Sequence, residues 1–468
     1  MNQILPARFL AVVFETFPKD FMSRAPEDLE EYGKDWTRLY PPAPSAVVFP
    51  RTTDEIARFV RLCTEHRIAV VPSGGRTGLA GGAVAVRGEV VLSLSKMNRM
   101  DPVDPVAQTV RVQAGAVTEA VHQHCAPHGL IWPVDFAAKG SSHIGGNIST
   151  NAGGVRVIQY GSTRQWVLGL QVVTMSGDVL ELNGALEKNN TGIDLKHLFI
   201  GSEGILGIIT EATLKLTRLP GALDLFFFAV EDMAAVLRLF HHVRKAPFGI
   251  MAFETMTHNC LEIVTQSLGL KFPVEQRSGA YVLFEAIRPA SADAQQIMDG
   301  WLEELFEKQL VLDGTLAQSP REARELWMMR EGIAESLFKK AFLHKNDVSV
   351  PISEQDEFVN RMFRMFSSRH SDLEVYMWGH IGDGNLHINT LMPSGMSRDE
   401  FLKRCHDADR DLFTLIQEFH GSISAEHGVG LLKKDALHFS RTPQEIALFK
   451  AIKKAFDPEG LLNPGKIF

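Results

Sequence analysis

Residues 378–389 read Trp-Gly-His-Ile-Gly-Asp-Gly-Asn-Leu-His-Ile-Asn, and the two imidazoles in that pattern are where chemistry can be expected. Asp383-Gly384 at the centre is turn chemistry, so the flanking segments should be strands that fold back and bring His380 and His387 together. His387 and Asn389 stand two apart and share one face of their strand. Glu426-His427 lies in a second glycine-flanked turn, Ala425-Glu-His-Gly-Val-Gly430, just after a short strand. His380, His387 and Glu426 together make a three-ligand set for a divalent metal that leaves a position open for substrate. The plainer alternative is that both imidazoles are hydrogen-bonded core residues.

Arg330 is a separate anomaly. A helix opening at Ser319-Pro320-Arg-Glu322 carries an apolar stripe through Leu326, Ile333 and Leu337, and Arg330 falls on that stripe. An inward guanidinium is costly unless it meets an anion. That anion is either a nearby Glu in a structural pair or the carboxylate of a substrate, and the sequence leaves both open.

Two glycine clusters point to a second ligand. In the first, an apolar strand over residues 68–72 ends at Pro72 and runs into Gly74, Gly75, Arg76, Thr77, Gly78 and Leu79. The second spans residues 140–154 and includes Gly140, Ser141, His143, Gly145, Gly146, Asn147, Thr150, Asn151 and Gly153; Pro133 and Asp135 precede it. Such stretches pack no core but suit backbone lying directly against a ligand, with free N–H groups facing phosphates or a polar ring. No helix pattern opens on the first cluster and no Gly-Lys-Ser/Thr follows, which excludes a Rossmann fingerprint and a Walker A loop. Two cradles well apart in sequence imply a long ligand with a diphosphate and an extended ring system.

The elements that must position these residues fall into two patterns. Residues 1–45 read as an N-terminal helical arm. Thr52-Thr-Asp-Glu55 is a capping box before a stripe of Ile56, Phe59, Val60 and Cys63. Strands at 68–72, 90–94 and 109–114, a helix at 117–128, a hairpin turning at Ser176-Gly-Asp178 and a strand at 208–216 complete the first half. After Arg218-Leu-Pro-Gly the pattern predicts strands at 224–230, 251–256, 280–287 and 348–352, and helices at 232–244, 291–308, 320–340, 353–369 and near 398–420. This is an α+β domain with a mostly antiparallel sheet and helices on one face. A final helix starts at the capping box Thr442-Pro443-Gln-Glu445. The expected domains are the arm, 46–218, 219–430 and 431–468, the last returning to the first domain.

With 468 residues the chain is long enough for two or three domains, and a formal net charge of −8 leaves no basic footprint for nucleic acid. Cys63, Cys125, Cys260 and Cys405 are scattered without CxxC spacing, which argues for a reducing compartment and against an iron–sulfur cluster. No signal-peptide pattern or transmembrane-length apolar segment is present, and a cytoplasmic location is expected.

The two cradles resemble the FAD-binding domain of the vanillyl-alcohol oxidase superfamily. The resemblance continues through residues 189–210 with their Gly201-Ser-Glu-Gly204 turn and Ile209, through Gly379-His-Ile-Gly-Asp-Gly-Asn-Leu-His387 and Ala425-Glu-His-Gly-Val-Gly430. It ends on Asp457-Pro-Glu-Gly-Leu-Leu-Asn463-Pro-Gly-Lys466. As an ordered set covering nearly all of the chain beyond the first 40 residues, these motifs are similar to those of the D-2-hydroxyacid dehydrogenases, which act on D-lactate, glycolate or D-2-hydroxyglutarate. Residues 138–147 and Lys345 resemble the hydroxyglutarate-oxidising members. One helical turn after Arg330, however, their pattern carries a hydroxyl residue and this chain has Ala334.

The resemblance implies a two-subdomain FAD-binding domain and an antiparallel-sheet substrate (cap) domain. FAD would be held non-covalently by the residues of both cradles together with Gly204, Ile209 and Asn463. A divalent metal, zinc, on His380, His387 and Glu426 would bind the substrate's hydroxyl and carboxylate. His427 would remove the hydroxyl proton, Arg330 would clamp a carboxylate, Lys345 would meet a second one, and Asn389 would line the same site. Electrons would pass to a separate acceptor, an electron-transfer flavoprotein or a quinone-linked carrier, and the enzyme would be a homodimer. Three rival readings are a flavin-dependent sugar or alcohol oxidase, a metal-dependent hydrolase without flavin, and a non-catalytic scaffold. The hydrolase leaves both cradles idle, and the scaffold predicts broken motifs where none is broken.

Overall fold

In the computed structural model, which describes residues 5–468, the chain divides into two compact units. The first comprises residues up to Gly154, Gly161–Leu219 and Glu426–Phe468; the second comprises Val155–Tyr160 and Pro220–Ala425. The first four residues of the expected N-terminal arm lie outside the described residues.

The first unit holds two four-stranded sheets and a two-stranded pair, Leu130–Ile131 with Thr217–Arg218. In one, Ala46–Val48, Val90–Ser93 and Val70–Ser73 run parallel, and the two-residue strand Met22–Ser23 adds antiparallel at one edge, so the arm is not wholly helical. The helix Thr53–His66 starts on the expected capping box: Thr52 accepts from the Glu55 N–H and Glu55 from the Thr52 N–H. Ile56, Phe59, Val60 and Cys63 are fully buried behind it. The second sheet is antiparallel in the order Thr109–Gln113, Ile208–Lys215, Val167–Val173, Val179–Leu182, with its hairpin turning on Gly177 at φ 78°.

The stretch 140–154 is not a plain loop. It contains a two-turn helix, Ile144–Thr150, ended by Asn151 in the left-handed region. Ile144 and Ile148 supply the reason: one turn apart, both are buried in the core of this unit and anchor the glycines between them.

The second unit is built on a seven-stranded sheet in which all the paired strands are antiparallel. Its order is Asp313–Leu316, Leu223–Val230, Ala280–Ile287, Gly249–Thr257, Val375–His380, Asn385–Leu391, Leu343–Ser349. Helices cover both faces, not one. Phe227 lies in the cluster with Tyr281 and the helices His258–Leu268, Pro320–Glu331 and Ile333–Lys340. Phe226 and Phe228 point the other way and pack on Trp301 of the helix Ala294–Glu307. A strand whose consecutive residues are all apolar needs cover on both sides.

Three further boundaries differ from expectation. The helix expected over 320–340 breaks at Gly332, where a Cβ would stand 2.7 Å from the Met328 carbonyl oxygen. The strand expected at 348–352 is Leu343–Ser349, and the helix His258–Leu268 and the strand Asp313–Leu316 were not expected. All four cysteines are buried free thiols. Among the described residues no helix is long and apolar enough to cross a membrane.

Candidate active site

The two glycine cradles meet inside the first unit. Gly75 passes so close to the second cradle that a Cβ there would stand 2.1 Å from the Ser141 carbonyl oxygen, and one on Gly74 would lie 3.6 Å from the Gly146 nitrogen. A side chain at 75 is therefore excluded by backbone. His143 stands between the cradles with its Nδ1 buried and without a hydrogen-bond partner among the described residues. Burial, with the Arg76 charge beside it, pulls the His143 imidazole down to about 4, so the ring is neutral near pH 7. An unpaired imidazole atom between two backbone-lined cradles fits a large polar ligand such as a dinucleotide. Gly78 and Gly146 have open space where a Cβ would point.

The remaining cradle residues take distinct places. The Arg76 guanidinium lies over the Tyr32 ring at 4.4 Å and pairs with Glu31 at 3.0 Å, so the N-terminal arm steadies the first cradle. Pro72 lies inside the strand Val70–Ser73, one residue before its end, and Gly204, at φ 73°, would place a Cβ 3.4 Å from the Pro72 ring. Asn463 donates to the Gly82 and Glu203 carbonyls at 3.0 and 2.7 Å. Asn147 is buried and donates to Thr118 Oγ1, Thr150 donates back to the Gly146 carbonyl, and Asn151 accepts from Ser162 and the Arg164 N–H. Asp135 pairs with Lys139 at 2.8 Å. The Ile209 side chain lies in the hydrophobic core.

In the second unit the expected hairpin forms. Val375–His380 and Asn385–Leu391 pair across a turn in which Gly384 takes φ 85°, and the rings of His380 and His387 stand 5.3 Å apart at 84°. Each imidazole faces a carboxylate one strand away. His380 Nδ1 hydrogen-bonds Glu254 at 2.7 Å, its cross-strand neighbour. His387 Nδ1 faces Asp347 at 3.7 Å, likewise its cross-strand neighbour. A carboxylate on Nδ1 keeps the proton there and turns Nε2 outward as a ligand atom. Ala425, the last residue of this unit, donates its N–H to the Asp347 carbonyl at 3.4 Å, and Glu426 follows it directly in the chain. His380 and His387 thus supply two imidazole donors from neighbouring strands of this unit, of the kind that hold a divalent cation, and Glu426, the expected third donor, opens the final segment of the first unit.

Arg330 meets the protein anion that the sequence left as one of two options. Its Nε donates to Glu254 at 2.7 Å, and the residue is only 7% exposed. Glu254, with no exposed surface, thus serves both Arg330 and His380. Burial alone would raise its carboxyl, but the charges of His380 and Arg330 outweigh that and hold it below the usual range. The two terminal nitrogens of Arg330 make no hydrogen bond among the described residues.

Lys345 and Asn389 are cross-strand neighbours on the same sheet face as Asp347 and His387. The Lys345 ammonium makes no hydrogen bond or ion pair among the described residues, and burial pulls it below the ordinary lysine range. His427 belongs to the final segment of the first unit. Glu254 and Asp347, which orient the two imidazoles, were missed in the sequence. The available signal was the one used for Arg330: a lone carboxylate inside the apolar strand Met251-Ala-Phe-Glu254 needs a partner.

Comparison with known proteins agrees with this arrangement. Residues 44–183 match the FAD binding domain and residues 219–467 the C-terminal domain of FAD linked oxidases. The chain is 46% identical over 443 residues to the D-2-hydroxyglutarate dehydrogenase of Xanthomonas citri pv. viticola, covering 95% of this chain and 93% of that protein. It is 43% identical over 442 residues to that of Stutzerimonas stutzeri, covering 94% and 95%. Its fold matches the 4-ethylphenol oxidase of Gulosibacter chungangensis with a TM-score of 0.77 at 18% identity, covering 100% of this chain and 98% of that one. With both cofactor cradles in contact and both family domains matched, the chain belongs to the FAD linked oxidases and, within them, to the FAD-dependent D-2-hydroxyacid dehydrogenases, oxidoreductases acting on the CH–OH group of 2-hydroxy acids.

Proposed function

We propose that the chain oxidises a D-2-hydroxy dicarboxylate, such as D-2-hydroxyglutarate or D-malate, to the 2-oxo acid, with the substrate held on a divalent metal such as zinc. The observation that carries the dicarboxylate reading is Lys345: a half-buried ammonium that meets no anion among the described residues, on the sheet face that bears His387 and Asn389. A substrate with a second carboxylate supplies the missing anion.

FAD on the two cradles would supply a hydride acceptor, and a divalent metal on His380, His387 and Glu426 would supply positive charge beside the substrate's oxygens. The protein's own groups do the rest. His380, His387 and Glu426 hold the cation. His427 takes the hydroxyl proton, a task suited to an imidazole that titrates near ~6.5 when unperturbed. Arg330, fixed through Nε by Glu254, offers its terminal nitrogens to one carboxylate. Lys345 takes the other, and Asn389 contributes a neutral polar group beside it. The cradles hold the flavin non-covalently: the first contains no His or Cys, and His143 of the second contacts the cofactor without bonding it. Electrons leave to a separate protein or quinone. Ala334, which lacks the expected hydroxyl, favours a looser site that also admits D-lactate or glycolate.

A panel of D- and L-2-hydroxy acids with an artificial electron acceptor tests the reading. Lys345→Ala is expected to lower kcat/KM on D-2-hydroxyglutarate or D-malate by roughly ten- to a hundredfold and to leave D-lactate unchanged. A wild type that prefers lactate to every dicarboxylate, or a variant that loses both classes equally, refutes it.

A further inference from the structure

Glu203, in the Gly201-Ser-Glu-Gly204 turn, has no role in the chemistry above, yet it makes an unusual set of contacts. Its carboxylate accepts two successive backbone N–H groups of the glycine turn that follows Glu426-His427: Val429 to Oε1 at 2.7 Å and Gly430 to Oε2 at 2.8 Å. The next two N–H groups, of Leu431 and Leu432, both go to the Ala80 carbonyl just beyond the first cradle, at 2.9 and 3.1 Å. Four consecutive donors are thus held by two acceptors.

The glycines of that turn are explained by the same clamp. Gly428, at φ 81°, would place a Cβ 2.8 Å from the Glu203 carboxylate, and Gly430, at φ 49°, would place one 2.0 Å from the Ala80 carbonyl oxygen. Glu203 is itself held in the left-handed region, at φ 50°. Its N–H bonds the Ser149 carbonyl in the helix of the second cradle at 2.7 Å, and its carbonyl accepts from Asn463. A non-glycine residue at positive φ with both backbone groups and both carboxylate oxygens engaged is over-determined by its surroundings.

We propose that Glu203 is a positioning residue: by clamping residues 428–430 to the cofactor cradles it sets where Glu426 and His427 stand. A carboxylate is required because each of its two oxygens accepts one N–H, and an amide has only one acceptor oxygen. The proposal rests on the metal-ligand and proton-acceptor roles given above to Glu426 and His427.

The test uses the FAD-loaded full chain and reads flavin content, bound metal and turnover side by side. Glu203→Gln is expected to keep flavin stoichiometry, to bind less metal, and to lose turnover by roughly ten- to a hundredfold, the loss one charge-assisted hydrogen bond carries. KM for the hydroxy acid should move much less than kcat. Glu203→Asp, which keeps the charge but is one methylene shorter, should recover part of the turnover. If the Gln variant does not fold, wild-type turnover in the Asp variant overturns the proposal. So does loss of flavin in step with activity, which would make Glu203 a cofactor holder. His427→Gln separates the two layers: retained turnover there refutes the proton-acceptor reading. An inactive His427→Gln beside a fully active Glu203→Gln refutes the positioning role alone.

Discussion

Replacing Glu254 with Gln should expose how far the sheet face of the second unit depends on one carboxylate. Glu254 accepts from His380 Nδ1 and from Arg330 Nε, each at 2.7 Å, and has no exposed surface. Gln is nearly isosteric but has one acceptor oxygen, so its NH₂ must face one of the two donors. Whichever donor is left, the Arg330 charge loses its counter-ion while 7% exposed. Breaking a buried pair in this way costs about 3–5 kcal/mol; because Arg330 is not wholly sealed, the lower end applies. At about 2–4 °C per kcal/mol for a domain of 150–250 residues, melting of this unit should fall by about 6–12 °C. The second effect is on the cation: losing the partner that orients a ligating imidazole costs about ten- to a hundredfold in metal affinity. Calorimetry of the metal-loaded and chelator-treated proteins separates the two, since the stability loss persists without metal. Glu254→Gln/Arg330→Met removes the stranded charge and should recover part of the melting temperature. A single variant that melts within 2 °C of the wild type, by the same scale, and holds metal equally well would refute the reasoning.

Two further outcomes follow from the site. Acid precipitation should leave a colourless pellet and free FAD in the supernatant; a yellow pellet shows a covalent flavin and removes the non-covalent reading. His387→Ala or Glu426→Ala should abolish bound metal and turnover while leaving FAD in place. Chelation that leaves the turnover number unchanged would return these residues to a structural role.

What was legible in the sequence and what was not divides along physical lines. Turn chemistry and period-two spacing were enough to bring His380 and His387 together, because Asp383-Gly384 can only reverse the chain. The capping box at Thr52 placed its helix correctly because that signal is local. The role of Glu254 was hidden because its partners are 76 and 126 residues away. The strand Leu343–Ser349 was read late for an instructive reason. Its middle, Lys345-Asn-Asp347, looks like turn composition, and two of those polar side chains face the candidate site. Residues recruited for chemistry break the alternation by which a strand is recognised.

The position of that late-read strand has a further consequence. Leu343–Ser349 is the outermost strand of its sheet, whereas His380 lies on a strand paired on both sides. A side chain on a border strand has a pairing neighbour on one side only, so fewer contacts must be rebuilt when it is exchanged. On the proposed reading, His380 and the lysine that would meet the substrate's far carboxylate stand on strands that tolerate change differently, although Asp347 ties the border strand to His387. If Lys345 reads the far carboxylate as proposed, exchange at that one position gives natural drift or a designer a route from one 2-hydroxy acid to another without rebuilding the fold.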